Sequence, residues 1–169
     1  SNPEIGKKAA EESEDKITEL LDANTKMLFL TAGMGGGTGT GAAPVIAEIA
    51  REKGILTVGV VTNPFSTEGG FRKQYAEEGV AELKKYVDTL LIINNDKLIE
   101  VYGDLTFTQA FGKANEVLNT ATKGIAEVIS QHLLVNIDLN DARKVLENSG
   151  TAVMGRSEER RVGKECRSR

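Results

Sequence analysis

The sequence predicts an α/β fold built on a parallel sheet, and three observations support that prediction. Segments with helical periodicity alternate with strand-like segments along most of the 169 residues. The strand-like segments are short and continuously apolar, as at residues 55–62, which is typical of strands covered on both faces. Apolar residues make up 40% of the chain and charged residues 27%, which favours a soluble globular core over disorder. We therefore expect parallel strands joined by right-handed crossovers, in one domain or a large piece of one.

Two helices are predicted around the first buried strand, which we place at residues 27–32. The first helix is capped by Asn2 and runs to about residue 21, with Ile5 and Leu20 on its apolar side. The second is opened by Pro44 and runs to about Lys53, where Gly54 stops it directly before the strand at residues 55–62.

The remaining elements follow that second strand. A helix at about residues 71–86 precedes a third strand at residues 89–94. A capping box at Thr106 then opens the longest helix, of about 25 residues. A loop at residues 135–140 leads into another helix closed by Gly150, and residues 151–154 are a candidate for one further strand.

Composition and charge exclude several classes of protein. One cysteine, Cys166, and one histidine, His132, leave no disulfide framework and no zinc site built from Cys and His. A net charge of -4 gives no general attraction to nucleic acid or anionic lipid. No apolar run approaches the roughly 18 residues that a membrane span needs. We therefore expect no nucleic-acid partner and no direct membrane insertion.

A glycine-rich segment at residues 33–41 lies between the first strand and the predicted start of a helix. In an open α/β sheet, ligands bind at the carboxyl ends of the strands, where this segment lies. Glycines let backbone N–H groups approach an anion closely, and the N-terminus of a following helix adds partial positive charge. Thr38 and Thr40 add hydroxyl groups. The segment is predicted to cradle phosphate groups, with a flexible surface loop as the alternative.

Two common phosphate-binding motifs fit this segment poorly. A P-loop needs a Lys after its last glycine, and no Lys follows until Lys53. Residues 37–42 match the dinucleotide pattern G-x-G-x-x-G/A, so an NAD- or FAD-dependent oxidoreductase domain is the alternative function. That hypothesis requires an acid at the end of the next strand, where Asn63 stands, and no carboxylate follows until Glu68.

The segment also carries a more specific signature. Gly35-Gly-Gly-Thr-Gly-Thr-Gly41 resembles the signature of the tubulin/FtsZ family, and the similarity extends from about Asn2 to Gly155. Residues 31–34, 41–44, 57–62 and 150–155 are more similar to the bacterial branch of that family than to tubulin. The resemblance implies a truncated Rossmann-like GTPase domain of the tubulin/FtsZ type, with the long central helix at its C-terminal side. It also implies bound GTP or GDP and GTP hydrolysis.

The resemblance assigns roles to individual residues of this sequence. The phosphates would lie on the signature residues, which are Gly35, Gly36, Gly37, Thr38, Gly39, Thr40 and Gly41. Pro64 would lie on the ribose side, with Glu68 on the ribose and Arg72 on the phosphates. Phe111 would stack on the guanine, and Asn115 would contact the edge of the base. Without the resemblance, Phe111 is expected in the core and Glu68 with Arg72 as a surface ion pair.

Three polar residues after the long helix complete the implied site. Asn136, Asp138 and Asp141 match the catalytic loop of the family, although their spacing alone indicates turn and N-cap residues. From Asn115 to Gln131 the helix rises roughly 24 Å, so these acids cannot reach the nucleotide that Asn115 contacts. The family pattern implies that they act on the nucleotide of another copy in a head-to-tail protofilament. Mg²⁺ is expected to offset phosphate charge without a dedicated protein cage.

The resemblance also implies a cellular role and missing parts. The protein would assemble with itself in the cytoplasm, at the mid-cell division site, into the bacterial cell-division ring. Membrane-tethering division proteins would bind a C-terminal peptide that is absent here. An upstream glycine-rich strand–loop and a downstream subdomain are implied as well. We therefore expect residues 1–169 alone to bind GTP weakly and to hydrolyse it negligibly.

Three regions are expected along the chain. Residues 1–131 would form a partial GTP-binding domain that includes the long helix. Residues 132–155 would form the catalytic loop, the following helix and the start of a C-terminal subdomain. Residues 156–169 contain six basic and three acidic side chains, unlike the acidic remainder, and are predicted to be a non-native or disordered tail.

Overall fold

The computed structural model describes residues 2–103, 105–134 and 150–154. Its centre is a sheet of four strands: β1 (Met27–Gly33), β2 (Leu56–Asn63), β3 (Thr89–Asn94) and β4 (Gly150–Met154). The strands lie in the order β1-β2-β3-β4, and all three pairings are parallel. The predicted parallel α/β sheet is therefore confirmed, and the candidate strand at residues 151–154 is its fourth member.

Among the described residues there are six α-helices: α1 (Pro3–Glu12), α2 (Glu14–Leu20), α3 (Thr38–Glu52), α4 (Gly70–Leu83), α5 (Asn95–Tyr102) and α6 (Phe107–Leu134). A short 3-10 turn, Ser66–Glu68, precedes α4.

The helices cover both faces of the sheet. Because side chains alternate along a strand, Val60 and Val61 point to opposite faces. Val61 packs with Ala47 of α3, whereas Val60 packs with Leu98 of α5 and Val117 of α6. Residues 56–61 of β2 are all buried, which explains why this strand is a continuous apolar run. A further apolar cluster joins α1 and α2 to the outer side of α3.

The predicted first helix is two helices. The chain breaks at Ser13, whose N–H bonds back to the carbonyl of Ala10 and ends α1. Ser13 is also the N-cap of α2, where its side chain makes no capping hydrogen bond. Ile5 and Leu20, which were predicted on the apolar side of one helix, are 67% and 80% exposed.

The helix after β1 begins earlier than predicted. Pro44 was expected to open it, but α3 starts at Thr38 and Pro44 lies inside the helix. Glycine and proline are poor helix formers, so propensity alone would leave residues 38–43 as a loop. Helix α1 packs closely against these residues, and tertiary packing of this kind supplies most of a helix's stability in proteins.

Two further differences concern α5 and α6. Helix α5 was not predicted, because eight residues show little helical periodicity. Its N-cap is Asn94, whose side chain accepts the N–H of Asp96 at 3.1 Å. Helix α6 has 28 residues instead of about 25, and it continues past residue 131, the predicted end of the first region.

The predicted loop at residues 135–140, the predicted helix after it and the predicted tail at residues 156–169 lie outside the described residues. The division into residues 1–131, 132–155 and 156–169 therefore stays a prediction. Within the part of the chain that the structure describes, no helix is both long and apolar enough to cross a membrane.

Candidate nucleotide-binding site

The carboxyl ends of β1, β2 and β3 lie side by side at one edge of the sheet. Gly33 at the end of β1 pairs with Thr62, and Asn63 pairs with Asn94 at the end of β3. Three segments leave this edge: the glycine-rich segment, the connection from β2 to α4, and the start of α5. Ligands of open parallel sheets bind at this edge, so the predicted site lies where the fold class expects it.

Gly35 turns the chain after β1. Its φ of +90° lies in the left-handed region that favours glycine. A Cβ at this position would stand 2.7 Å from the carbonyl oxygen of Arg72 and 3.1 Å from Cγ of Pro64. Just before it, the N–H of Met34 donates to the carbonyl of Thr62 at 2.9 Å. The structure therefore brings together three predicted site residues, Gly35, Pro64 and Arg72.

The N-terminus of α3 is open to a ligand. Gly37 occupies the N-cap without a side-chain cap, and the first turn of this 15-residue helix contains no acid. Thr38 is exposed, and a Cβ on Gly36 would have nothing within 4 Å. Uncapped N–H groups and the positive end of the helix dipole attract anions. This arrangement fits the phosphate cradle that the sequence predicts, with Gly36 and Thr38 on its accessible side and Gly37 against the backbone of Asn2.

The second half of the signature is packed inside the protein. Thr40 is 5% exposed, and its Oγ1 accepts the N–H of Gly35 at 2.9 Å. A Cβ on Gly41 would stand 2.1 Å from the carbonyl oxygen of Pro3. The expectation that residues 35–41 are all loop is therefore wrong. Thr40 and Gly41 belong to α3 and lie on the buried side of the cradle. Thr40 contacts the Gly35 turn, and Gly41 contacts α1.

Two more backbone contacts fix the first turn of α3. A Cβ on Gly39 would stand 2.4 Å from the carbonyl oxygen of Gly33, and one on Gly6 would stand 2.2 Å from that of Gly37. Gly6 lies in α1 and was not among the predicted site residues. The available signal was the glycine itself, since an isolated glycine inside a helical pattern usually has a packing reason.

The connection after β2 holds Glu68 in a fixed position. Its carboxylate accepts the N–H of Phe65 at 2.8 Å and the Nη1 of Arg72 at 2.7 Å. The side chain of Glu68 is only 7% exposed, whereas that of Arg72 is 49% exposed. The pair predicted from spacing is therefore present, but it is anchored to the backbone at Phe65 and is more than a surface pair.

Asp96, at the start of α5, reaches across to the same connection. Its carboxylate accepts the N–H of Ser66 at 2.8 Å and the hydroxyl of Ser66 at 2.5 Å. The sequence prediction missed Asp96. The signal that could have found it is an acid two positions after the Asn94 N-cap, at the carboxyl end of a buried strand.

Three phenylalanine rings form a cluster at the start of α6. The ring of Phe111 lies 5.1 Å from that of Phe65 and 4.9 Å from that of Phe107, in both cases edge-on. Phe65 is 2% exposed and Phe107 is 58% exposed. Asn115 is exposed one turn after Phe111 on the same side of α6. Through Phe65, the structure connects the predicted base residue Phe111 with the predicted ribose residue Glu68.

The remaining predictions have a limited structural description. Asn136, Asp138 and Asp141 lie outside the described residues, as does the side chain of His132. No group of three or more His, Cys, Asp or Glu side chains suited to a metal ion occurs within residues 2–103 and 105–127.

Two asparagine oxygens at the carboxyl edge have no hydrogen-bond partner among the described residues. They are Oδ1 of Asn63 and Oδ1 of Asn95, and both are buried. Asn63 occupies the position where the dinucleotide hypothesis needs an acid. An amide oxygen cannot replace a carboxylate as the charged acceptor for a ribose, so this edge fits that hypothesis poorly.

Comparison with known proteins agrees with the geometry. The family model described as "Tubulin/FtsZ family, GTPase domain" matches residues 1–103. The proteins named cell division protein FtsZ from Wigglesworthia glossinidia brevipalpis and Coxiella burnetii are each 53% identical to the chain over 156 residues, 92% of its length. The chain spans 40% of the length of each of these curated relatives.

A solved structure is also similar to this chain, and it belongs to the same family. The FtsZ dimer of M. jannaschii, described as empty, is 46% identical, with a TM-score of 0.83 over 89% of this chain and 43% of its own. These comparisons give no support to the alternative oxidoreductase function. With a family model matched over more than half of the residues, and with its signature glycines at the carboxyl edge of a parallel sheet, the chain belongs to the tubulin/FtsZ family.

Proposed function

We propose that this chain is part of a GTP-binding and GTP-hydrolysing protein that polymerises head-to-tail into the protofilaments of the bacterial cell-division ring. The observation that carries the proposal is the uncapped N-terminus of α3 beside Gly35, Pro64 and Arg72, in a chain of the tubulin/FtsZ family. Because the chain spans 40% of its curated relatives, the activity is proposed for the complete protein.

The phosphates of GTP would lie against the first turn of α3. Backbone N–H groups near Gly36, Gly37 and Thr38 would donate to the phosphate oxygens, and no acidic side chain in that turn would repel them. The backbone of Arg72 lies against Gly35, and its half-exposed guanidinium, which bonds Glu68, would add a positive charge. Mg²⁺, when bound, would neutralise phosphate charge, and it would be held mainly by the phosphates and water.

The ribose and the base would extend from this cradle toward α6. Glu68 has acceptor capacity beyond its bonds to Phe65 and Arg72, because a carboxylate offers about four lone-pair sites. Phe111 would contact the guanine, and Asn115 would offer amide groups to its edge.

Hydrolysis would require a second copy of the protein. Helix α6 is continuous from Asn115 to Leu134, which places its end roughly 28 Å from the base-contacting residue. Asp138 and Asp141 follow that end, so they would serve the nucleotide of the next subunit, with Asn136 beside them. There they would orient water for in-line attack on the γ-phosphorus. A head-to-tail contact of this kind does not close, and it therefore builds a filament.

The relatives support self-association and a role in division. The matched M. jannaschii protein is described as a dimer, and the curated relatives are named as cell division proteins. We extend this to a cytoplasmic filament at the mid-cell division site. Membrane-tethering division proteins would bind outside residues 1–169.

The test uses a completed protein, in which the flanking segments of the Coxiella burnetii relative are joined to this chain. GTP turnover per subunit is measured against protein concentration. We expect a steep rise above a critical concentration, because the site is complete only between subunits. Asp141→Ala should abolish that rise and leave GTP binding intact, whereas Glu127→Ala, an exposed acid on α6, should keep it.

Two results would contradict the proposal. Turnover that is independent of concentration would exclude the shared site. Tight GTP binding with no turnover at any concentration would indicate a nucleotide-binding module that does not hydrolyse GTP.

A further inference from the structure

We infer that Asp96 is a positioning residue for nucleotide binding, which holds the Ser66–Glu68 turn so that Glu68 faces the ribose. The inference rests on the proposed function, since it assumes that Glu68 contacts a ribose. It assigns to Asp96 a role that neither the glycine signature nor the spacing of Glu68 and Arg72 indicates.

Asp96 stands on a rigid part of the molecule. It lies in the first turn of α5, between Asn95, which is 3% exposed, and Leu98, which is 1% exposed and packs in the core cluster with β3 and α6. A carboxylate in the first turn is also favoured by the helix dipole. The position of Asp96 is therefore set by the packed core and is independent of the connection that it contacts.

The connection after β2 has few anchors of its own. Phe65 is buried under the aromatic cluster, but Ser66 and Thr67 are exposed. Within the connection, the N–H of Glu68 bonds to the carbonyl of Phe65 at 2.9 Å, and the carboxylate of Glu68 accepts the N–H of Phe65. These bonds close the turn on itself, but they do not fix it relative to the glycine segment.

Phe65 holds one end of the connection against the rings of α6, and Asp96 supplies a second external anchor, at Ser66. Its two oxygens accept the N–H and the hydroxyl of Ser66, at 2.8 and 2.5 Å, so the turn is held by two charge-assisted bonds from α5. Ser66 is two residues before Glu68, and the carboxylate of Glu68 bonds the guanidinium of Arg72, whose backbone carbonyl lies against the Gly35 turn. The chain of contacts thus runs from the core through α5 and Asp96 to the predicted ribose acceptor.

A positioning role and a purely electrostatic role for Asp96 predict opposite changes in GTP affinity when Asp96 is removed. Asp96 adds a negative charge near the site proposed for a polyanion. If it acted only through its charge, its removal would tighten GTP binding. If Asp96 positions Glu68, its removal weakens GTP binding, because the freed turn then holds Glu68 against the ribose only part of the time.

The experiment compares GTP with its 2′-deoxy and 3′-deoxy analogues in the completed protein. For Asp96→Ala we expect the Kd for GTP to rise about tenfold, as for one charge-assisted hydrogen bond. The Kd for the analogue that lacks the hydroxyl read by Glu68 should not change. Asp96→Asn keeps one acceptor for the N–H of Ser66 and should restore most of the affinity. Glu100→Ala removes an equal charge from the exposed side of α5 and should change neither Kd.

The outcomes separate this inference from the proposed function. Equal losses for GTP and both analogues, unchanged affinity, or tighter binding in Asp96→Ala would overturn the positioning role while the proposed function stands. A completed protein that binds no GTP, or that does not distinguish the analogues, would overturn the ribose contact and the inference with it. Amide hydrogen exchange at Ser66, Thr67 and Glu68 gives a second measurement. The exchange should become faster in Asp96→Ala and stay the same in Glu100→Ala. Unchanged exchange in Asp96→Ala would overturn the inference that Asp96 holds this turn.

Discussion

The two loops that leave β1 and β2 at the carboxyl edge obtain their shapes in different ways. The glycine segment after β1 is shaped by the backbone: a left-handed Gly35, and glycines that let Pro3, Gly33 and Arg72 approach through their carbonyl oxygens. The connection after β2 is shaped by side chains, since the carboxylates of Glu68 and Asp96 accept its N–H groups.

The difference suits the ligand groups that each loop would bind. A phosphate needs several N–H donors at close range, which only a segment without bulky side chains can offer. A ribose hydroxyl needs a placed acceptor, and a carboxylate must be held by other groups to serve as one. An added methyl group should therefore destabilise the first loop, whereas the loss of a carboxylate charge in the second loop should weaken ligand binding more than it lowers stability. Four substitutions test this contrast in the completed protein.

The largest effect is expected from Gly41→Ala. Its Cβ would stand 2.1 Å from the carbonyl oxygen of Pro3 and 2.6 Å from the N of Lys7, so α1 must move away from α3. We expect the free energy of unfolding to fall by about 3 kcal/mol, measured by urea denaturation. The control is Gly112→Ala in α6, where nothing lies within 4 Å of a Cβ and alanine should stabilise the helix slightly. Similar results for the two variants would contradict close packing of α1 on α3.

Gly35→Ala should come next. The residue has φ +90°, which costs a non-glycine residue about 1–2 kcal/mol, and its Cβ would press on the carbonyl of Arg72 at 2.7 Å. We expect a loss of about 2 kcal/mol of stability and weaker GTP binding, measured by denaturation and calorimetric titration. Gly36→Ala, with open space around it, should keep full stability. If Gly36→Ala destabilises as much, the turn does not depend on Gly35.

Thr40→Val removes a hydroxyl from the buried side of the glycine segment. The N–H of Gly35 would lose its acceptor in a site that water does not reach, while the shape of the side chain is kept. The expected cost is about 1–2 kcal/mol. In Thr122→Val the hydroxyl that donates to the carbonyl of Leu118 is lost from a partly buried helix position, and stability should change less. Equal costs would mean that the Gly35 bond contributes little.

Glu68→Gln should have the smallest effect on stability and a clear effect on binding. The amide still accepts the N–H of Phe65 but loses its charge pair with the half-exposed Arg72, so we expect about 1 kcal/mol or less. GTP affinity should fall more than affinity for the deoxy analogue that lacks the contacted hydroxyl. Glu100→Gln, in an exposed pair with Lys97, is the control. A large stability loss in Glu68→Gln would show that charge shapes the second loop more than hydrogen bonding does.

Local patterns predicted the fold better than the detailed site. The strands at residues 55–62 and 89–94 were visible because both faces of each are buried and the apolar run is continuous. The pair of Glu68 and Arg72 was visible because four-residue spacing brings side chains together. The anchor of that pair at the N–H of Phe65 was not visible, and Asp96 contacts Ser66 from thirty positions away, which no local pattern reports.

By itself, the sequence determined the parallel α/β architecture, the long helix after Thr106 and the glycine signature that assigns the chain to its family. These features depend on periodicity, capping and short motifs, which are patterns among residues that are close together in the sequence. Only the tertiary structure decided that α3 begins at Thr38, that Thr40 and Gly41 face inward, and that α5 clamps the Ser66–Glu68 turn. Those outcomes depend on which backbone surfaces approach each other across the fold. Packing energy from distant residues there outweighs the local preferences of glycine and proline.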